Sequence, residues 1–165
     1  MKKLFTLVAA LMISGLAMAQ KELAFPFQGG QQVMTDFFKN NFAASADLKQ
    51  QNAAGVVILK FTADQKGIIK KVIVYYADDF VLAQPAADLL KKSDRKWIVP
   101  DGEKLHDFIL PISISFNAPA TGAAAASKTF SAYYGKRSPI LTNNQIPLDT
   151  ATLLPTVTLK YDVGQ

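Results

Sequence analysis

The chain has 165 residues, of which 50% are hydrophobic, and a formal net charge of +5 at neutral pH. This length supports one domain with a modest core, and the charge is too small to indicate a nucleic-acid-binding protein. The absence of cysteine excludes disulfides, thiol chemistry and a lipoprotein attachment site. Basic clusters at residues 66–71 and 91–96 are typical of solvated faces, with contact to an acidic partner or an anionic surface as the alternative.

Residues 1–19 have the pattern of a secretory signal peptide. They begin with Met-Lys-Lys, continue with an apolar run at residues 4–16 and end in Ala17-Met18-Ala19. The run is shorter than the roughly 20 residues that a membrane-spanning helix needs. We therefore expect cleavage before Gln20, no retained membrane span, and a periplasmic or secreted protein.

The mature chain is predicted to begin with a short extended segment and a helix. Gly29-Gly30 closes the extended segment, and the pattern predicts a helix over residues 31–41, while residues 45–54 fit either a helical turn or a loop. Four residues of the helix form an apolar stripe that is typical of a core face, namely Val33, Met34, Phe37 and Phe38.

A β-hairpin is predicted next. Residues 55–63 and 68–76 are rich in β-branched and aromatic residues and flank a turn at residues 64–67. Gly67 can adopt the positive φ that such a turn needs, and the Asp64 side chain can accept a hydrogen bond from the backbone two residues on.

A second helix is predicted after Asp78-Asp79, with Pro85 in its first turn. Ala86, Leu89 and Leu90 give it one apolar stripe. A loop with the pattern Trp-x-x-Pro at residues 97–100 follows, and we expect its indole to lie against the sheet.

The third strand, at residues 108–116, is predicted to lie at a sheet edge. Its residues alternate between apolar and polar or proline, so one face is buried and one is wet. Pro111 cannot donate to a neighbouring strand, which favours an edge position whose free backbone groups accept an extended segment by β-augmentation. The predicted partner-binding residues are Phe108, Leu110, Pro111, Ile112, Ser113, Ile114, Ser115 and Phe116.

These elements together resemble the C-terminal domain of TonB, in the stand-alone form found in Bacteroidetes. The resemblance covers residues 25–116. The matching positions are Phe27-Gln28-Gly29-Gly30, Phe37-Phe38, Asn40-Asn41, Gly55, Val57, Phe61, Asp64-x-x-Gly67, Val72, Ala86-Ala87, Trp97-x-x-Pro100 and Phe116.

The predicted fold is α+β, with a small three-stranded antiparallel sheet and two helices on one face in the order α-β-β-α-β. The TonB-like domain would span residues 20–117, and residues 118–165 would form an Ala-rich linker and a C-terminal extension. Within the extension, residues 156–163 alternate with period two and predict a strand. We expect this strand to cover the edge of the third strand, in its own molecule or in a neighbour.

No set of residues predicts an enzyme, a metal site or a cofactor. The single histidine, His106, has no second histidine or cysteine with which to bind zinc. Asp78-Asp79 is typical of helix capping, and Gly29-Gly30 lacks the lysine and the spacing of a phosphate-binding loop.

Two functional hypotheses remain. The first is a periplasmic or secreted TonB-like module that binds an extended peptide by β-augmentation, with an outer-membrane receptor segment as the partner that the resemblance implies and a link to outer-membrane transport. The alternative is a secreted structural or assembly protein whose tail strand completes its own or a neighbour's sheet. An exposed edge also permits a homodimer.

Overall fold

The structure, a computed structural model, describes residues 25–117, 123–142, 147–148 and 150–162. The predicted signal peptide lies outside these residues. The elements in chain order are α1 (Gly30–Asn41), α2 (Ala46–Gln51), β1 (Gly55–Asp64), β2 (Ile69–Ala77), α3 (Phe80–Lys91), β3 (Leu105–Asn117), α4 (Ala123–Tyr134), β4 (Ile140–Leu141), β5 (Thr152–Leu153) and β6 (Val157–Asp162).

The sheet is mixed and has six strands within the described part of the chain. The strands lie in the order β4-β2-β1-β3-β5, and β6 also pairs with β3. The pairs β4–β2, β2–β1 and β1–β3 are antiparallel, whereas β5 and β6 run parallel to β3. The α+β class therefore fits. The predicted three-stranded antiparallel sheet with two helices was wrong, because α2 forms between α1 and β1 and the C-terminal residues add α4 and three strands.

Local sequence explains most of the element boundaries. At the hairpin turn, the Asp64 side chain accepts hydrogen bonds from the backbone of Lys66 and Ile68, and Gly67 has a φ of 72°. A Cβ atom on Gly67 would lie 2.6 Å from the Trp97 carbonyl oxygen, so this position also needs glycine for space. Ser45 caps α2 by accepting from the Leu48 backbone N–H at 3.2 Å, which settles the open assignment of this segment as helical.

Two local predictions need correction. Asp79 caps α3, so Pro85 lies inside this helix and not in its first turn. The Ala-rich segment predicted as a linker forms α4 from Ala123 onward. Alanine has the highest intrinsic helix propensity, which accounts for the helix there.

The hydrophobic core lies between one face of the sheet and the helices. β1, β3 and β6 direct alternate residues into it. At one end, the Trp97 ring packs with its centroid 4.5 Å from that of Phe61, 5.1 Å from that of Phe27 and 5.5 Å from that of Phe108. The largest fully buried side chains are those of Trp97, Phe27, Phe38, Phe61, Phe108, Met34, Leu48, Leu59, Leu82, Leu90, Leu110 and Ile112.

Candidate partner-binding edge

The structure places β3 inside the sheet and not at its edge. β1 pairs with one side of β3 over ten residue pairs, from Gly55–Ile114 to Asp64–Leu105. The other side pairs with β5 at Phe108 and Ile109 and with β6 from Ile112 to Asn117. The backbone of the predicted partner-binding residues is thus occupied by the chain's own C-terminal segment.

Pro111 remains compatible with this interior position because the tail is interrupted beside it. Ile109 pairs with Leu153, but Ile112 pairs with Val157, so the tail inserts one extra residue across the break that contains Pro155. The Ile109 carbonyl accepts from the Leu154 N–H at 2.9 Å. Since residues alternate in direction along a strand, the nitrogen of Pro111 faces the same side, where no regular pairing requires a donor.

The tail strand is part of the core. Val157, Leu159 and Tyr161 are buried, and α1 packs against β6. The Tyr161 hydroxyl donates to the carbonyl oxygens of Leu48 at 2.9 Å and Ala53 at 2.8 Å. Displacing β6 from the sheet would expose its three buried side chains to solvent. It would also leave the Leu48 and Ala53 carbonyls without the Tyr161 donor, so displacement by a partner strand is costly.

The open edge of the sheet is the outer side of β6. The Ser115 hydroxyl contacts the Leu159 carbonyl at 3.5 Å, so this carbonyl points toward β3. By alternation, the backbone groups of Thr158 and Lys160 point away from the sheet. In the part of the chain that the structure describes, β6 pairs only with β3, and these outward groups have no strand beside them. The opposite edge, β4, has only two residues.

A groove of about 370 Å³ runs beside this open edge. Its lining combines the C-terminal end of α1 with the middle of β6 and consists of Lys39, Phe42, Thr158, Leu159 and Lys160. Leu159 and Phe42 are apolar, and the two lysines are exposed. The groove therefore offers backbone groups, apolar surface and positive charge to one ligand.

A second groove, of about 450 Å³, lies between α3 and the segment that joins α1 to α2. Its charged lining residues are Asp47, Asp88 and Lys92, and it includes Phe80, which is 66% exposed. The Lys92 ammonium donates to the Asn41 carbonyl at 3.1 Å and so ties α3 to α1. None of its described lining residues belongs to a strand.

An ion pair on the other face of the sheet anchors the C-terminal segment. The Lys60 ammonium lies 2.9 Å from an Asp107 carboxylate oxygen and donates to the Pro147 carbonyl at 2.7 Å. Burial acts to raise the pKa of Asp107, but hydrogen bonds from Thr62 and Lys60 outweigh it and hold this pKa below its ordinary value. This ion pair accounts for the burial of Lys60.

His106 lies at the centre of a hydrogen-bonded arrangement that resembles a catalytic one. Its Nδ1 lies 2.7 Å from the Glu103 carboxylate, and its Nε2 lies 2.7 Å from the Thr152 hydroxyl. A hydroxyl, a histidine and a carboxylate in this order resemble a nucleophile, a base and an orienting group. Neither groove includes these residues. The arrangement ties β5 to the start of β3, and His106 is buried.

Asp78 likewise has a structural role. It accepts hydrogen bonds from the Val56 N–H at 2.7 Å and the Tyr76 hydroxyl at 2.7 Å, and it forms an ion pair with Arg137 at 3.2 Å. These contacts join β1, β2 and the segment after α4.

No group of three or more histidine, cysteine, aspartate or glutamate residues among those that the structure describes is placed to bind a metal ion. None of the described helices has the length and apolarity to cross a membrane.

Comparison of the chain with protein-family models, curated proteins and solved structures found no match. The TonB-like resemblance therefore stays a prediction.

Sequence reasoning missed the groove residues Lys39, Phe42 and Lys160. The period-two pattern did place Lys160 on the wet face of a strand. Nothing local could indicate that this strand is the outermost one, or that the end of α1 lies beside it.

Proposed function

We propose that this chain is an exported protein-binding module that accepts an extended segment of a partner protein along the outer edge of β6. The observation that carries the proposal is the unpaired outer side of β6 among the described residues. Such an edge binds a strand through main-chain hydrogen bonds, and flanking pockets select its side chains. The sequence predicted this binding site on β3, and we propose it on β6 instead.

The signal-peptide pattern supports export to the periplasm or the exterior. The TonB-like order of elements supports β-augmentation as the binding mode, with an outer-membrane receptor segment as the implied partner. A catalytic function is less well supported, because the Thr152–His106–Glu103 arrangement borders neither groove of the described structure.

An edge-blocking substitution tests the proposal. Thr158→Pro removes a backbone donor that points outward, so it leaves the pairing of β6 with β3 intact. With the ¹⁵N-labelled protein, an alternating peptide such as acetyl-TVEVEVT-amide should shift the amide signals of Thr158 and Lys160, and Thr158→Pro should abolish binding. A peptide N-methylated at alternate residues is the matched control.

Binding that is unchanged by both Thr158→Pro and N-methylation would overturn the edge as the site. Thermal unfolding of Thr158→Pro must show a folded protein, and Thr156→Pro, which lies before the paired segment of β6, serves as a second proline control.

The structural or assembly role is favoured by one observation, since the tail strand completes the sheet of its own chain. In an assembly protein the same β6 edge would meet another copy. Sedimentation velocity separates the two functions: concentration-dependent association that Thr158→Pro abolishes indicates assembly, and a monomer that binds the peptide indicates a binding module.

A further inference from the structure

We infer that the partner segment is acidic, with carboxylates alternating with apolar residues; this inference rests on the proposed function of the β6 edge. The segment would lie in the groove beside β6, with apolar side chains toward the half-buried Phe42 and carboxylates toward Lys39 and Lys160.

The two lysines are available for this role. Lys60, Lys70 and Lys91 each form an ion pair with a carboxylate. Lys39 and Lys160 form no ion pair with any residue that the structure describes, although both line the same groove.

Among the residues that the structure describes, none with a negative charge lines this groove. Its five lining residues include two lysines and no carboxylate, whereas the groove beside α3 includes Asp47 and Asp88. The only acidic residue of β6, Asp162, is outside the lining and accepts from the Asn117 side chain at 2.6 Å. Unopposed positive charge beside an open edge attracts an acidic strand and repels a basic one.

The test compares two peptides that differ only in charge, acetyl-TVEVEVT-amide and its neutral isostere acetyl-TVQVQVT-amide. At low salt the acidic peptide should bind about 10-fold more tightly than the neutral peptide, because it can form two exposed ion pairs with the lysines. Added salt should reduce this difference in affinity, because it screens the charges. Replacing both lysines, as Lys39→Gln with Lys160→Gln, should equalise the two affinities. Lys71→Gln, at an exposed residue of β2, is the control and should preserve the preference for the acidic peptide.

The outcomes separate this inference from the proposed function. If both peptides bind equally and Thr158→Pro abolishes both, the acidic preference is overturned and the edge function stands. If neither peptide shifts the Thr158 and Lys160 amides, the edge function itself fails. A preference that survives loss of both lysines places the positive charge elsewhere and overturns the assignment to this groove.

Discussion

Single aromatic residues carry much of the packing in this protein. Trp97 is 2% exposed, contacts three phenylalanine rings and donates from its indole Nε1 to the Ser93 hydroxyl at 3.0 Å. The sequence predicted that the indole lies against the sheet, and it does so at the end where β1 and β3 bring Phe61 and Phe108 together.

We expect Trp97→Ala to lower the free energy of unfolding by about 3–5 kcal/mol, because it leaves a large cavity and removes the hydrogen bond from the indole to the Ser93 hydroxyl. Urea denaturation measures the loss. Ile98→Ala, at a neighbouring residue that is 39% exposed, should cost far less. Equal effects of the two substitutions would contradict a core role for the indole.

The Tyr161 hydroxyl should make stability depend on alkaline pH. Burial raises the pKa of Tyr161 to about 12, above the ordinary 10.0. The folded state therefore holds this proton more tightly than the unfolded state. Its contribution to stability is complete below about pH 10 and is lost as pH rises toward 12.

Tyr161→Phe should cost about 1–1.5 kcal/mol at neutral pH, through loss of the hydrogen bonds to α2 and the residues after it, and should reduce the fall in stability above pH 10. Urea denaturation at neutral pH and at pH 11 measures both effects. Tyr75→Phe, which removes the hydroxyl of a tyrosine outside these two hydrogen bonds, is the control substitution. An unchanged alkaline profile in Tyr161→Phe would assign the pH dependence to other groups.

Among the strands, β6 has two sides with different backbone pairing: one side pairs with β3, and the other has no described strand beside it. The alternation predicts that amides of Leu159 and Tyr161, which face β3, exchange slowly with solvent, whereas those of Thr158 and Lys160 exchange fast. Hydrogen exchange by NMR resolves each amide. Slow exchange at all four would show that another segment covers the edge and would contradict an open binding site.

The tail as a whole should be required for folding. Truncation after Asn117 removes α4, β4, β5 and β6 together with the buried residues Tyr133, Leu154, Val157, Leu159 and Tyr161. We expect the truncated chain to lose cooperative unfolding. Near-ultraviolet circular dichroism, recorded during unfolding, measures this loss. Truncation after Asp162 is the matched control. A stable fold in the shorter chain would instead make the tail a displaceable cover over β3.

For the whole molecule, export depends on the N-terminal pattern. We expect the exported protein to begin at Gln20, because a short apolar run after two lysines ends in a small-x-small site. Intact-mass measurement of protein recovered after export checks this. A mass that includes residues 1–19 would mean that the segment is retained.

Those parts of the fold that have local causes could be predicted from the sequence. The β1–β2 hairpin follows from the side chain of Asp64 and the positive φ of Gly67, and the alternation of β3 and β6 follows from period-two patterning. The capping role of Asp79 was equally local.

The identity of the edge strand could not be predicted in this way, because it depends on contacts between residues far apart in the chain. Pro111 has no backbone N–H, so its strand must have at that position either a free edge or a neighbour whose pairing is interrupted. In this structure the neighbour is interrupted, at the break that contains Pro155. The groove joins Lys39 of α1 to Lys160 of β6, far apart in the chain. Their proximity arises because β6 docks parallel to β3 to bury its apolar face, and a local pattern specifies that a face is buried but not against which strand.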